Sequence, residues 1–233
     1  MKILVSDSIT ENGLSVLKDA NLDVIYLPNA TIEEKSDAAK EIDGWIIRSG
    51  TTITEKMIED SSNLQVIGRA GVGVDNIDIQ TATRHGIVVM NTPDINTISA
   101  AEHTLAMMLT LSRNIAIGDS EVKQGEWNRN ELIGSELSNK ILGIVGMGKI
   151  GREVMTRCRS FGMTVLGYDP FMNQDMFNPE EVRIVELEAL IFNSDIISIH
   201  VPLTNSTRDL FDYDRLSNMK STARIINVAR GGI

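Results

Sequence analysis

The chain has 233 residues, 42% of them hydrophobic and 23% charged, which gives room for one large or two modest globular domains with a buried core. The 32 acidic residues against 22 basic ones leave a formal charge of −10, which argues against nucleic acid or an anionic membrane as the main partner and still allows a local basic pocket. A single cysteine, Cys158, excludes an internal disulfide; with no signal-peptide layout and no run of about 18 apolar residues, a cytoplasmic protein is expected.

Strand-like runs alternate with helical patterns from the first residues, the rhythm of a parallel sheet covered by helices on both faces. Strands are predicted over Lys2–Ser6, Val24–Leu27, Gly44–Ile47, Gln65–Gly68 and Ile87–Met90. Helices are predicted over Glu11–Asp19 with Thr10 as N-cap, Glu33–Lys40 with Thr31 as cap, Thr54–Asp60 and Ile77–Arg84. This stretch carries no G-x-G-x-x-G and reads as a separate α/β unit without a nucleotide. Asn91-Thr92-Pro93 then breaks the pattern, because proline cannot continue a helix and biases Thr92 toward extended geometry. The domain boundary is placed there, giving 1–93 and 94–233. A long helix over about Ile98–Arg113 and a second over about Ala116–Gln124 follow, then a loop holding Trp127 and Arg129.

From Lys140 the pattern changes to that of a dinucleotide unit. The apolar strand Leu142–Val145 runs into Gly146-Met147-Gly148-Lys149-Ile150-Gly151, and Arg152 opens onto a helix. In such a loop Gly146 lets the chain turn sharply, Gly148 lets a pyrophosphate approach the backbone, and Gly151 lets the helix pack close to its strand. A second strand, Met163–Tyr168, ends in Asp169, 18 residues past Gly151. A carboxylate there can accept both ribose hydroxyls of the adenosine half and repels a 2′-phosphate, so NAD is expected rather than NADP. A helix over Glu186–Phe192 and strands over Asp195–His200 and Ala223–Val228 complete the unit. The fold class is therefore α/β, with two doubly wound parallel-sheet units, the second a Rossmann dinucleotide-binding domain that lacks its last strands. No metal site is expected.

Three further stretches can carry chemistry. Arg69-Ala70-Gly71-Val72-Gly73-Val74-Asp75-Asn76 follows a strand end and exposes backbone N–H groups that can hold a carboxylate, although as a bare turn it is unremarkable. Arg48-Ser49-Gly50-Thr51 follows another strand and suits an anion, but a surface arginine is the common case. Asn227-Val228-Ala229-Arg230-Gly231-Gly232 closes a strand of the nucleotide unit, where doubly wound sheets place ligands.

These stretches, with Asn91-Thr92-Pro93, Ala100-Ala101-Glu102-His103-Thr104, the glycine loop, Tyr168-Asp169-Pro170 and His200-Val201-Pro202-Leu203-Thr204, occur in the order found in one family. Across essentially its whole length the chain resembles the NAD-dependent D-2-hydroxyacid dehydrogenases. The resemblance implies hydride transfer between NAD and a small phosphorylated 2-hydroxy acid, with Arg230 as the catalytic arginine that binds the α-carboxylate and polarises the carbonyl. It implies that Lys149 and Ile150 lie on the pyrophosphate, Asp169 on the ribose, Val201 and Pro202 beside the adenine-ribose pocket, and Val228 and Ala229 near the nicotinamide. Arg48, Ser49 and Gly50, with Arg69, Gly71, Val72 and Gly73, would hold the substrate, and Trp127 and Arg129 lie in the segment that family members extend toward the partner of a homodimer. Val72 departs from the family, in which a hydroxyl residue near the cofactor is common; the backbone cradle is kept.

The family's catalytic Glu and acid/base His lie downstream of its arginine, and the chain stops at Ile233. His85 reads as a solvated helix end, His103 as part of a helix at the dimer face, and His200 as a family position that is not the acid/base. The expectation is of a truncated enzyme, inactive and poorly stable alone, with an exposed edge at the strand ending at Val228. Rival readings are another 2-hydroxyacid dehydrogenase, such as a glyoxylate or hydroxypyruvate reductase, and a non-catalytic NAD-binding module like the superfamily's corepressors.

Overall fold

In the computed structural model, which describes residues 1–233, the chain divides into two units, Met1–Asn96 and Thr97–Ile233. The division falls three residues past Pro93. In the first unit, β1 (Lys2–Val5), α1 (Glu11–Asp19), β2 (Asp23–Tyr26), α2 (Ile32–Ala39), β3 (Gly44–Ile47), α3 (Glu55–Glu59), β4 (Val66–Arg69), α4 (Ile79–Arg84) and β5 (Val88–Asn91) alternate strictly. The strands pair in parallel in the order β2-β1-β3-β4-β5. All four helices begin on a side-chain cap: Thr10, Thr31, Thr54 and Asp78 accept from the N–H groups of Gly13, Glu34, Met57 and Thr81. Glu34 also reaches back to the Thr31 N–H, so α2 starts in a full capping box. Leu4, Ile42, Trp45, Ile47 and Ile67 form the buried centre of this unit. The strand order reverses between β1 and β3, so the loops leaving those strands are neighbours at the carboxyl edge, where open α/β sheets bind ligands.

The second unit opens with α5 (Thr97–Ser112) and α6 (Ile115–Lys123). Its sheet unit follows as β6 (Ile141–Val145), α7 (Lys149–Ser160), β7 (Thr164–Tyr168), β8 (Arg183–Ile184), α8 (Leu187–Asn193), β9 (Ile196–Ile199), α9 (Tyr213–Ser217) and β10 (Arg224–Asn227). The order is β10-β9-β6-β7-β8, all parallel, with the switch point between β6 and β9. Alternation along the strands splits the core in two. Leu142, Ile144 and Ile196 join Met108, Val154 and Cys158 on one face, whereas Val145, Ile197 and Ile199 join Leu190 and Ile191 on the other. β10 is an edge strand.

Element boundaries differ from the sequence expectation by one to three residues; at the helices, Thr54, Asp60, Asp78 and Arg113 cap or flank instead of lying inside, and α7 starts at Lys149, ahead of the expected Arg152. Three short elements have no counterpart in the sequence reading: β8, α9 and a 3₁₀ turn at Gln174–Met176. No helix is long and apolar enough to cross a membrane.

Candidate functional site

β6 ends on buried Val145, and the chain turns at Gly146 with φ +98°, a conformation that side chains rarely adopt. A Cβ there would also come within 2.6 Å of the His200 carbonyl oxygen at the end of β9. The Gly146 N–H donates to the Tyr168 carbonyl at 2.8 Å. Fully buried Met147 donates its N–H to Asp169 Oδ2 at 3.0 Å. α7 then starts after Gly148 without any side-chain cap, so the positive end of a twelve-residue helix is left for an anion from outside. No atom lies within 4 Å of the place a Gly148 Cβ would occupy, which keeps the approach to this backbone open. At Gly151 a Cβ would overlap the Gly146 carbonyl, so only glycine permits the observed approach of α7 to the loop. Lys149 and Ile150 form the first turn of α7, and Ile150 packs on the core.

The strand register gathers the other assigned groups of this unit. Val145 lies opposite both Tyr168 and Ile199, and Ile199 lies opposite Asn227. Gly146, Asp169, His200 and Val228 therefore leave the sheet in one row at its carboxyl edge. Asp169 does more there than the sequence indicated. Its Oδ2 holds Met147 and its Oδ1 accepts from the Phe171 N–H at 3.0 Å, so the carboxylate braces the glycine loop. Each oxygen keeps a second lone pair for an outside hydroxyl.

Past β9, Val201 packs on the second core and Pro202 is exposed, its carbonyl accepting from the Thr207 hydroxyl at 2.6 Å. Past β10, Val228 and Ala229 pack on opposite cores. Asn227 laces this turn: its Oδ1 accepts from the Ala229 N–H at 2.9 Å and its Nδ2 donates to the Arg230 carbonyl at 2.8 Å. The Arg230 guanidinium donates to the Ala229 carbonyl at 2.8 Å, which leaves the side chain half-buried at the sheet edge.

Two residues here escaped the sequence reading. Arg152 donates from Nε to the Met147 carbonyl at 3.0 Å and lies 4.8 Å over the Phe177 ring, securing the loop from outside. Its place directly after the last glycine of the loop was the available signal. Asn227 is the other, visible in sequence only as a turn residue.

None of the three histidines stands as a free base on these edges. His85 closes α4 with Nδ1 3.0 Å from the Thr81 carbonyl, and His103 is exposed on α5. Burial pushes the His200 imidazole down to about 4, so it is neutral at pH 7, and its Nε2 lies 2.8 Å from Ser198 Oγ. Burial likewise pushes the Cys158 thiol up to about 12, as befits a packing residue.

In the first unit the carboxyl edge carries the other assigned group. Arg48, Ser49 and Gly50 are exposed after β3, while Thr51 is buried. Arg69 ends β4, and its guanidinium lies against Gly71. The Asn91 side chain donates to the Val72 carbonyl at 2.6 Å and the Thr92 N–H to the Gly71 carbonyl at 3.0 Å, which fixes this second loop against the end of β5. Asn76 joins the two loops, its Nδ2 donating to the carbonyls of Arg48 at 2.7 Å and Thr51 at 2.6 Å. Trp127 is 68% exposed, with the Arg129 guanidinium 5.3 Å over its ring.

Residues 105–233 match the family model described as D-isomer specific 2-hydroxyacid dehydrogenase, NAD binding domain. The whole chain is 47% identical to a D-3-phosphoglycerate dehydrogenase of Synechocystis sp. and 43% identical to that of Bacillus subtilis, and it spans only 42% and 44% of their lengths. Among solved structures it resembles an NAD-dependent formate dehydrogenase from Staphylococcus aureus in complex with NAD, at 32% identity and TM-score 0.91 over all of this chain and 74% of that one. It also resembles an Aquifex aeolicus D-lactate dehydrogenase complexed with NAD and lactic acid, at 29% identity and TM-score 0.85 over all of this chain and 70% of that one. With the doubly wound order of its second sheet, the glycine loop at the switch point, Asp169 at the end of the neighbouring strand, and the family match over more than half its length, the chain belongs to the D-isomer specific 2-hydroxyacid dehydrogenases.

Proposed function

We propose that this chain supplies the substrate-binding unit, 1–93, and the NAD-binding unit, 94–233, of a D-3-phosphoglycerate dehydrogenase. The reaction is oxidation of 3-phospho-D-glycerate to 3-phosphohydroxypyruvate with reduction of NAD⁺ to NADH, the entry to serine biosynthesis. The observation that carries this reading is identity of 40–47% to phosphoglycerate dehydrogenases over alignments that cover the whole chain.

The geometry of the second unit fits the cofactor. The uncapped start of α7 and the open side of Gly148 suit the pyrophosphate bound by Gly146, Gly148, Lys149, Ile150 and Gly151. Asp169 takes the adenosine ribose, Val201 and Pro202 border it, and Val228 and Ala229 serve the nicotinamide end. When bound, NAD⁺ supplies the acceptor for the hydride leaving C2 of the substrate. Arg230 binds the α-carboxylate and, as C2 becomes a carbonyl, stabilises the charge on its oxygen. Arg48, Ser49 and Gly50, with Arg69, Gly71, Val72 and Gly73, hold the phosphate and carboxylate ends. The proton from the C2 hydroxyl is assigned to none of His85, His103 and His200. Exposed Leu111, Ile115, Ile117, Val122 and Ile133, in the same stretch of chain as Trp127 and Arg129, are assigned to a second copy in a cytoplasmic homodimer.

Isothermal titration of the chain with NADH, NADPH, 3-phosphoglycerate and D-lactate tests this reading. NADH should bind at least about tenfold more tightly than NADPH, and 3-phosphoglycerate more tightly than D-lactate by a similar factor. Equal affinity for the two nucleotides removes the assignment of NAD, and D-lactate binding as well as 3-phosphoglycerate removes the phosphorylated substrate.

A further inference from the structure

Beneath the Arg48–Thr51 turn lies a buried polar cluster that none of the roles above uses. Lys35 enters it from α2 with its side chain only 10% exposed, and Asp7, just past β1, is buried to the same degree at 9%. The turn closes around the Asp7 carboxylate. Oδ2 accepts from the Arg48 N–H at 2.6 Å and the Thr51 N–H at 3.1 Å, and Oδ1 accepts from the Thr51 hydroxyl at 2.9 Å. Lys35 Nζ donates to Thr51 Oγ1 at 3.1 Å and stands 3.8 Å from Asp7 Oδ1. A Cβ on Gly50 would come within 2.8 Å of Asp7 Oδ1, so a larger residue at the tip of the turn would displace this carboxylate. Behind it, Trp45 Nε1 donates to Ser6 Oγ at 2.8 Å, and that oxygen lies 3.0 Å from Thr51 Oγ1. Asn76 holds the other side of the turn through the carbonyls of Arg48 and Thr51. The N–H groups of Ser49 and Gly50 have no acceptor within the protein.

Burying an ammonium costs desolvation that an apolar side chain at this helix position would avoid. The return here is geometric. Without the cation Asp7 is a buried charge held only by the Arg48 and Thr51 amides and the Thr51 hydroxyl, and as it moves toward water those amides move with it. We propose that Lys35 is a positioning residue for the substrate anion: paired with Asp7 and bonded to Thr51, it fixes the turn whose free amides and Arg48 receive the phosphorylated hydroxy acid. This rests on the substrate reading above, and the test separates the two.

The experiment is amide hydrogen exchange together with titration of 3-phosphoglycerate and NADH, on the wild type, Lys35→Met and Trp45→Phe. Lys35→Met keeps the aliphatic stem and deletes the charge. It should speed exchange of the Arg48 and Thr51 amides and raise the dissociation constant for 3-phosphoglycerate, each by about tenfold or more, with NADH affinity within about twofold. Trp45→Phe deletes one bond of the same network without touching Asp7 and should leave both readouts near wild type. Should Lys35→Met fail to fold, the double variant Asp7→Asn/Lys35→Met removes the unpaired charge and should show the same loss at the turn. Unchanged exchange and affinity in the Lys35 variants overturn the proposal, as does an equal loss in Trp45→Phe. A wild type that binds no 3-phosphoglycerate, with the exchange difference intact, refutes the substrate reading and keeps Lys35 as the residue that holds the turn.

Discussion

Both oxygens of Asp169 are engaged by backbone N–H groups, those of Met147 and Phe171, before any ligand arrives. Removing the carboxylate therefore leaves two amides without their acceptor and deletes the charge assigned to the ribose. Asp169→Ala should lower the free energy of urea unfolding by about 1–3 kcal/mol, weaken NADH about tenfold and bring NADPH to similar affinity. A variant that still excludes NADPH would place the discrimination in another residue. His200 gives a residue-scale pH dependence. Its folded value of about 4 lies below the roughly 6.5 of an unfolded histidine, so between those pH values the unfolded chain takes up a proton that the folded chain refuses. The stability at stake is complete above about pH 6.5 and is lost as pH falls toward 4, amounting to at most about 3 kcal/mol. Urea unfolding of wild type and His200→Gln across this range should show the wild type losing its advantage as pH falls. Parallel profiles would mean that His200 takes no part.

At the scale of elements, α7 and its loop separate two kinds of glycine that look alike in sequence. Gly151 faces the Gly146 carbonyl, and an added Cβ overlaps it, so Gly151→Ala must push α7 off β6 at a cost of about 1–3 kcal/mol. Gly148 faces open space at an ordinary φ of −69°, so Gly148→Ala should change the melting temperature little and still fill the approach to the anion, weakening NADH about tenfold or more. Thermal melts paired with NADH titration of the two variants check this; a large stability loss in Gly148→Ala contradicts it. The loop was legible because its spacing encodes distinct steric tasks, and Thr10, Thr31 and Thr54 were legible as caps or helix starts because each stands directly before its helix. Two-residue β8 and five-residue α9 are too short to establish a period. The Asp7–Lys35 cluster was hidden for a different reason. Lys35 lies in Ile32-Glu33-Glu34-Lys35-Ser36-Asp37, which reads as a solvated helix face, and only the packing of α2 shows that this lysine points inward. The bracing of Met147 by Asp169 was equally hidden, since the sequence gives a role to the carboxylate and none to the amides it meets.

At the scale of the whole molecule, each hydrophobic core is drawn from a single unit: one within the first, and two on opposite faces of the second sheet. Nearly all the groups assigned to NAD sit on the second unit, so the free energy of binding should stabilise mainly the cooperative structure that contains them. A ligand at one hundred times its dissociation constant stabilises its site by about 2.7 kcal/mol, which is about a hundredfold in the protection of amides that exchange by opening that structure. Saturating NADH should therefore raise protection in β6, β7 and β9 toward that factor and leave β1, β3 and β4 within about threefold of the ligand-free chain. For 3-phosphoglycerate the pattern should invert for the loops after β3 and β4, because all the residues assigned to its anionic ends except Arg230 lie there. An equal rise across both sheets on adding NADH would mean that the units open together, and the division of labour between them would then have to be sought in the loops alone.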